Sequence, residues 1–175
     1  MSGNAQAAVN EKYAGERYKP KVPACAESKI ELNFNGSRLL MTVKGDKNRY
    51  FTYQAVSGRP NQSGKFVYSD ERQKKAFEGP IQQADYWINP DEIWENSWYK
   101  FWVSDEAWGE FRITIHPYPS TKTHGRGGFF IHGGTVRGSA DCIDLTTHIS
   151  QFIKDLKREL NGRLNSYVPL RVRYH

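Results

Sequence analysis

From Ile30 onward apolar residues fall at every second position (Ile30, Leu32, Phe34), Asn35-Gly36 interrupts, and Leu39, Met41 and Val43 resume the alternation. A period of two on either side of Asn-Gly predicts two antiparallel strands joined by a hairpin, each with one buried face. Gly45-Asp46 predicts a second turn, after which Phe51, Tyr53 and Ala55 continue the meander. Ser57 to Pro80 carries Gly, Pro, Asn and many charges, so it reads as mostly loop. Asp85 to Ile88 then reads as a short strand closed by Asn89-Pro90. Trp98 to Val103 and Glu110 to His116 read as an antiparallel pair, and Gly127 to His132 as a further strand. The period changes at Ile149, Phe152, Ile153, Leu156 and Leu160, which recur at helical spacing. Thr146 or Thr147 is placed to cap that helix and Asn161-Gly162 to end it. Val168, Leu170, Val172 and Tyr174 alternate again. The pattern predicts a mainly β domain with one C-terminal helix packed on the sheet.

Residues 1 to 28 show no sustained apolar period and are read as a flexible N-terminal tail or delivery segment; residues 29–175 form the domain. A chain of 175 residues holds one proper core. Hydrophobic residues make up only 38%, but five Trp, ten Tyr and nine Phe bury enough area to exclude disorder. The net charge of +6 favours an anionic partner. The basic residues are scattered rather than gathered on one element, which argues against a nucleic-acid binder. No run is long enough for membrane insertion, and Met1 to Asn10 does not have the form of a secretory signal. Cys25 and Cys142 are read as two free thiols.

The chemistry concentrates in Phe129-Phe130-Ile131-His132-Gly133-Gly134 and Gly138-Ser139-Ala140-Asp141-Cys142-Ile143-Asp144-Leu145. A strand histidine precedes a cysteine by ten residues with glycines between them. Such a chain can fold an imidazole back onto a thiol, the pairing a cysteine nucleophile and its general base require. His132 is the candidate base and Cys142 the candidate nucleophile. Ser139, Asp141 and Gly133 are the candidate backbone groups of an oxyanion site, with the Asp141 and Cys142 amides as donors. Glycine at 133, 134 and 138 permits positive φ and close approach of a substrate. Arg126 and Arg137, with Gly134, are the candidate substrate-binding residues, either arginine offering a bidentate fork to a carboxylate.

These motifs resemble the L,D-transpeptidase catalytic domain, whose signature is a histidine before glycine followed by Ser-x-Gly-Cys-Ile. The resemblance is greater to the type VI secretion effectors built on that domain, which pair Phe-x-Ile-His-Gly-Gly with Gly-Ser-x-x-Cys-Ile-Asp-Leu. Ala55-Val56-Ser57-Gly58-Arg59-Pro60, Gly79-Pro80-Ile81 and Tyr86-Trp87-Ile88 are similar to earlier motifs of that group, so the likeness spans about residues 30 to 160. It implies an L,D-transpeptidase-like β-sandwich or barrel. It implies that Cys142 attacks the carbonyl between diaminopimelate and the terminal D-alanine of a peptidoglycan tetrapeptide stem, leaving a thioester. Water then resolves it in an L,D-carboxypeptidase, and another amine in a transpeptidase or D-amino-acid exchanger. No metal or cofactor is implied, and the histidine is oriented by a backbone carbonyl. The implied partners are stem peptides, a secretion-apparatus carrier and a cognate immunity protein, with action in the target-cell periplasm.

Two departures stand out. Asp141 replaces the glycine before the cysteine; aspartate tolerates a left-handed turn, but its charge opposes a thiolate and is placed to meet the diaminopimelate ammonium. Gln82-Gln83-Ala84 replaces the usual Pro-x-Gly. His116, His124 and His132 match no standard zinc spacing, so no metal is expected. Trp87, Trp94, Trp98, Trp102 and Trp108 are read as mostly core, with a glycan groove as the alternative. Lys154, Lys157 and Arg158 are read as a solvated helix face. The competing readings are another cysteine peptidoglycan amidase or endopeptidase, and a catalytically inactive wall-binding module.

Overall fold

A computed structural model describes residues 20–95 and 111–174. The predicted meander is present as β1 (Ile30–Phe34), β2 (Arg38–Val43) and β3 (Arg49–Gln54). Asn35 makes the first turn: its side-chain oxygen accepts from the amides of Ser37 and Arg38 at 3.0 and 2.9 Å. Gly36 takes φ 97°, which a side chain would resist. Leu39, Met41 and Val43 of β2 face the core opposite Tyr53, Phe51 and Arg49 of β3.

The segment from Ser57 to Pro80 is less irregular than its composition predicts. It begins within strand β4 (Val56–Gly58) and carries one helical turn, α1 (Asp70–Gln73), whose cap is the Ser69 hydroxyl. Then come β5 (Ala84–Ile88), β6 (Trp94–Glu95), β7 (Phe111–Pro117), β8 (Phe130–His132), β9 (Ser139–Asp144), the long helix α2 (Ile149–Leu160) and β10 (Val168–Val172). The expected strand Trp98 to Val103 lies outside the described residues. Along β7 residues Ile113 to Pro117 are all buried, rather than buried at alternate positions.

The strands run β3-β2-β1-β10-β5-β7-β8-β9-β4, with β6 also on β7, in one nearly closed, barrel-like sheet. The protein is thus mainly β with one substantial helix near its C-terminal end. Two neighbouring pairs are parallel, β1 with β10 and β8 with β9. The core joins both halves of the sheet to the apolar face of α2, with Phe152, Ile153 and Leu156 completely or almost completely buried. Asn161 ends α2 in the left-handed region (φ 50°), as its sequence predicts. The start differs from expectation: no threonine side chain caps it. Thr146 instead gives its amide to the Asp144 carboxylate at 2.8 Å, so the end of β9 supplies the acceptor.

The segment read as tail is anchored over its last third. Lys21 donates its amide to the Pro117 carbonyl and accepts from the Trp87 indole, and Ser28 donates to the Tyr167 carbonyl. Cys25 and Cys142 are both free thiols. No helix among the described residues is long and apolar enough to cross a membrane.

Candidate active site

The site is made by register. Strand β8 runs beside β9 with His132 opposite Asp144 and Ile131 opposite Ile143. Side chains alternate along a strand, so Ile131 and Ile143 enter the core while His132, Cys142 and Asp144 share the other face. His132 and Cys142 therefore sit diagonally on neighbouring strands. Across β8 on its other side, Arg112 of β7 is the register partner of His132, and Trp94 of β6 is the partner of Arg112. One row thus reads Trp94, Arg112, His132, Asp144.

His132 is completely buried, and its Nδ1 meets the Gly133 carbonyl at 2.7 Å. A carbonyl only accepts, so Nδ1 carries the proton and Nε2 the lone pair, the tautomer a general base needs. Burial lowers the imidazole pKa, outweighing the Asp144 carboxylate and the Gly133 carbonyl, and the Arg112 guanidinium lowers it further. Cys142 is also completely buried, and its thiol is pushed up to about 12. Burial is the main cause and the Asp141 carboxylate the next; the Phe130 backbone and the Ser139 hydroxyl oppose them. The resting pair is a neutral imidazole and a neutral thiol.

Gly133 matters through its size. Its φ is not positive, but a Cβ there would lie 2.3 Å from Ile149 Cγ2 and 2.4 Å from the Thr146 carbonyl. Gly134 (φ 131°) and Gly138 (φ 101°) do take the backbone angles foreseen for them. The Asp144 carboxylate accepts from the Gly138 amide at 2.7 Å, at the end of the glycine-rich loop, and from the Thr146 amide at 2.8 Å, just after β9.

Several expected roles are corrected. Residues 139–144 form strand β9 rather than a tight turn, and the Asp141 amide is donated to the Gly79 carbonyl at 3.1 Å, so it is not an oxyanion donor as the site stands. The Gly134 amide is similarly given to the Thr146 carbonyl at 3.2 Å instead of facing a substrate. Asp141 does adopt the left-handed turn (φ 65°), yet its carboxylate pairs with the Arg126 guanidinium rather than waiting for an ammonium group. Burial still raises that carboxyl to about 6 against the pull of Arg126. Arg126, its side chain 5% exposed, also donates to the Gln73 and Gly79 carbonyls, so it braces the loop under β9 instead of holding a substrate carboxylate. Arg137 is exposed and lies 5.2 Å over the Phe66 ring.

Gln82 and Gln83 belong to the same brace: the Gln82 side-chain amide donates to the Gln73 carbonyl and the Gln83 backbone amide to the Gln73 side-chain oxygen. Arg112 is the residue missed from the sequence. Its signal was present in the alternation of Arg112, Thr114 and His116, which puts it on the face opposite Ile113 and Ile115. Its guanidinium lies 4.6 Å from the Trp94 ring and 5.3 Å from the Phe130 ring. His116 is separate, buried between Glu92 at 2.8 Å and the stacked Trp87 ring. Among the described residues no three His, Cys, Asp or Glu side chains come together as a metal site. The family models contain no match to this chain, and neither do the curated proteins.

Proposed function

We propose that the domain is a cysteine L,D-transpeptidase or L,D-carboxypeptidase acting on peptidoglycan tetrapeptide stems. The observation that supports this reading most is a base-form imidazole held by the Gly133 carbonyl on the same face as Cys142, one strand away. In the reaction the Cys142 Sγ forms a bond to the acyl carbon while its proton passes to His132 Nε2. The tetrahedral oxyanion collapses, the amide C–N bond breaks, and the imidazolium returns the proton to the leaving D-alanine amine. Water cleaves the thioester to a tripeptide; a D-amino acid or another stem amine gives exchange or a cross-link. Both reacting groups are buried, so substrate reaches them only when the covering chain rearranges. The thiol then attacks with general-base help instead of waiting as a thiolate.

Disaccharide tetrapeptide incubated with the protein should lose D-alanine, or exchange it for an added D-amino acid, as read by product mass. His132→Ala should lower the rate roughly 10²- to 10⁴-fold and Cys142→Ala should abolish turnover. Full activity in Cys142→Ala would sink the mechanism. Complete burial of Cys142 and its raised pKa favour a second reading, an inactive wall-binding module, which would bind the muropeptide and leave its mass unchanged. The resemblance further supports delivery by a secretion apparatus into a competitor's periplasm, with an immunity protein in the producer. Expression with an added signal peptide should then arrest growth, and cytoplasmic expression should be tolerated. Equal toxicity in both compartments would redirect the search to an internal target.

A further inference from the structure

Arg112 is the direct cross-strand partner of His132 on the face that carries Cys142. Direct partners in an antiparallel pair have Cβ atoms about 4.5–5.5 Å apart. Its guanidinium lies over both the Trp94 and the Phe130 rings, and such contacts orient a planar cation. Within the row, His132 and Asp144 are completely buried whereas Arg112 is half-buried, so Arg112 stands at the outer end of the site.

The leaving group makes that position meaningful. In a C-terminal amino acid, the scissile nitrogen and the α-carboxylate are separated by a single carbon. A cation that grips the carboxylate must therefore neighbour the group that protonates the nitrogen. The pair Arg112 and His132 meets that condition by register; Arg126, beneath β9, does not.

We propose that Arg112 binds the free α-carboxylate of the leaving residue, so the site selects acyl donors that end there and rejects internal peptide bonds. The choice of leaving group rests on the acyl-transfer reading above; the anion site itself can be tested without turnover. In the Cys142→Ala protein, disaccharide tetrapeptide should bind roughly 10- to 100-fold more tightly than its C-terminal amide, as expected for a charge-assisted hydrogen-bonded pair. Calorimetry on folded protein, checked by near-ultraviolet circular dichroism, reads the difference. Arg112→Gln should bring acid and amide to equal affinity. Arg112→Lys, which keeps the charge but loses the planar fork, should retain part of the preference and covers the case in which the glutamine variant fails to fold.

Equal binding of acid and amide by the Cys142→Ala protein, or an Arg112→Gln variant that keeps the preference, would overturn the assignment. So would a loss that strikes acid and amide alike, because a spacer between two rings would behave that way. Acid-selective binding with no turnover by the unaltered protein would instead sink the catalytic reading and leave the anion site standing.

Discussion

Asp141 shows how much one residue can reveal and conceal. That it tolerates a left-handed backbone was legible from its type; that it pairs with Arg126 was not, because the two meet only where the loops around Gly79 pack under β9. The sequence alone suggests that Asp141→Gly relaxes the turn by about 1 kcal/mol. The ion pair reverses the sign, since stranding a buried guanidinium costs roughly 3–5 kcal/mol. Urea denaturation should therefore show Asp141→Gly as net destabilised, and a stabilised variant would refute the pairing. The same carboxyl has a folded pKa of about 6, above its ordinary range, so the folded state holds its proton more tightly than the unfolded chain does. Its contribution to stability is full below the unfolded pKa of about 4 and is lost as pH rises through about 6. Wild type minus Asp141→Asn should accordingly fall across that window; a rising difference would contradict it. Removing the charge should also speed iodoacetamide labelling of Cys142 at pH 8 in a Cys25→Ser background, since Asp141 is the second cause holding the thiol up.

Elements with large side chains at regular periods were readable: β1, β2, β3, β10 and α2 lie where Ile, Leu, Phe and Val place them. Strand β9 was not, because its alternating positions hold the small residues Ala140 and Cys142 and its backbone turns left-handed at Asp141. The parallel register of β8 and β9, which creates the site, leaves no local signal at all. Helix α2 is tied to β3 by more than its apolar face. The Tyr53 hydroxyl donates to Asp155 at 2.5 Å, its ring meets Phe152 edge-on at 5.3 Å, and Arg49 grips Glu159 at the next turn. Tyr53→Phe should cost about 1–2 kcal/mol by removing a donor from a buried carboxylate, and Phe152→Ala about 3–5 kcal/mol by opening the core. Urea midpoints give both values. A Tyr53→Phe cost below experimental error would mean that Gln151 and Arg158 satisfy Asp155 without it.

For the whole molecule, composition and period gave the mainly β class, but closure of the sheet was hidden in pairings between distant segments. Leu32 lies opposite Leu170 and Leu170 opposite Tyr86, so β10 sits between β1 and β5 with its Val168, Leu170 and Val172 side chains completely buried. A chain ending at residue 165 should show no cooperative unfolding transition, because both neighbours lose their partner and the core is opened. A sharp transition in that truncation would show that the two halves fold independently. Strand β10 follows every other described element along the chain, yet it is the seam between β3-β2-β1 and the half of the sheet that carries His132 and Cys142. Without β10, the half of the sheet that carries the imidazole and the thiol loses the strand that joins it to β1 and to much of the shared core. If the domain is the acyl-transfer enzyme proposed above, a chain whose β10 has not paired would not yet carry the assembled site. On that reading, assembly of the site would await the pairing of β10 with β1 and β5.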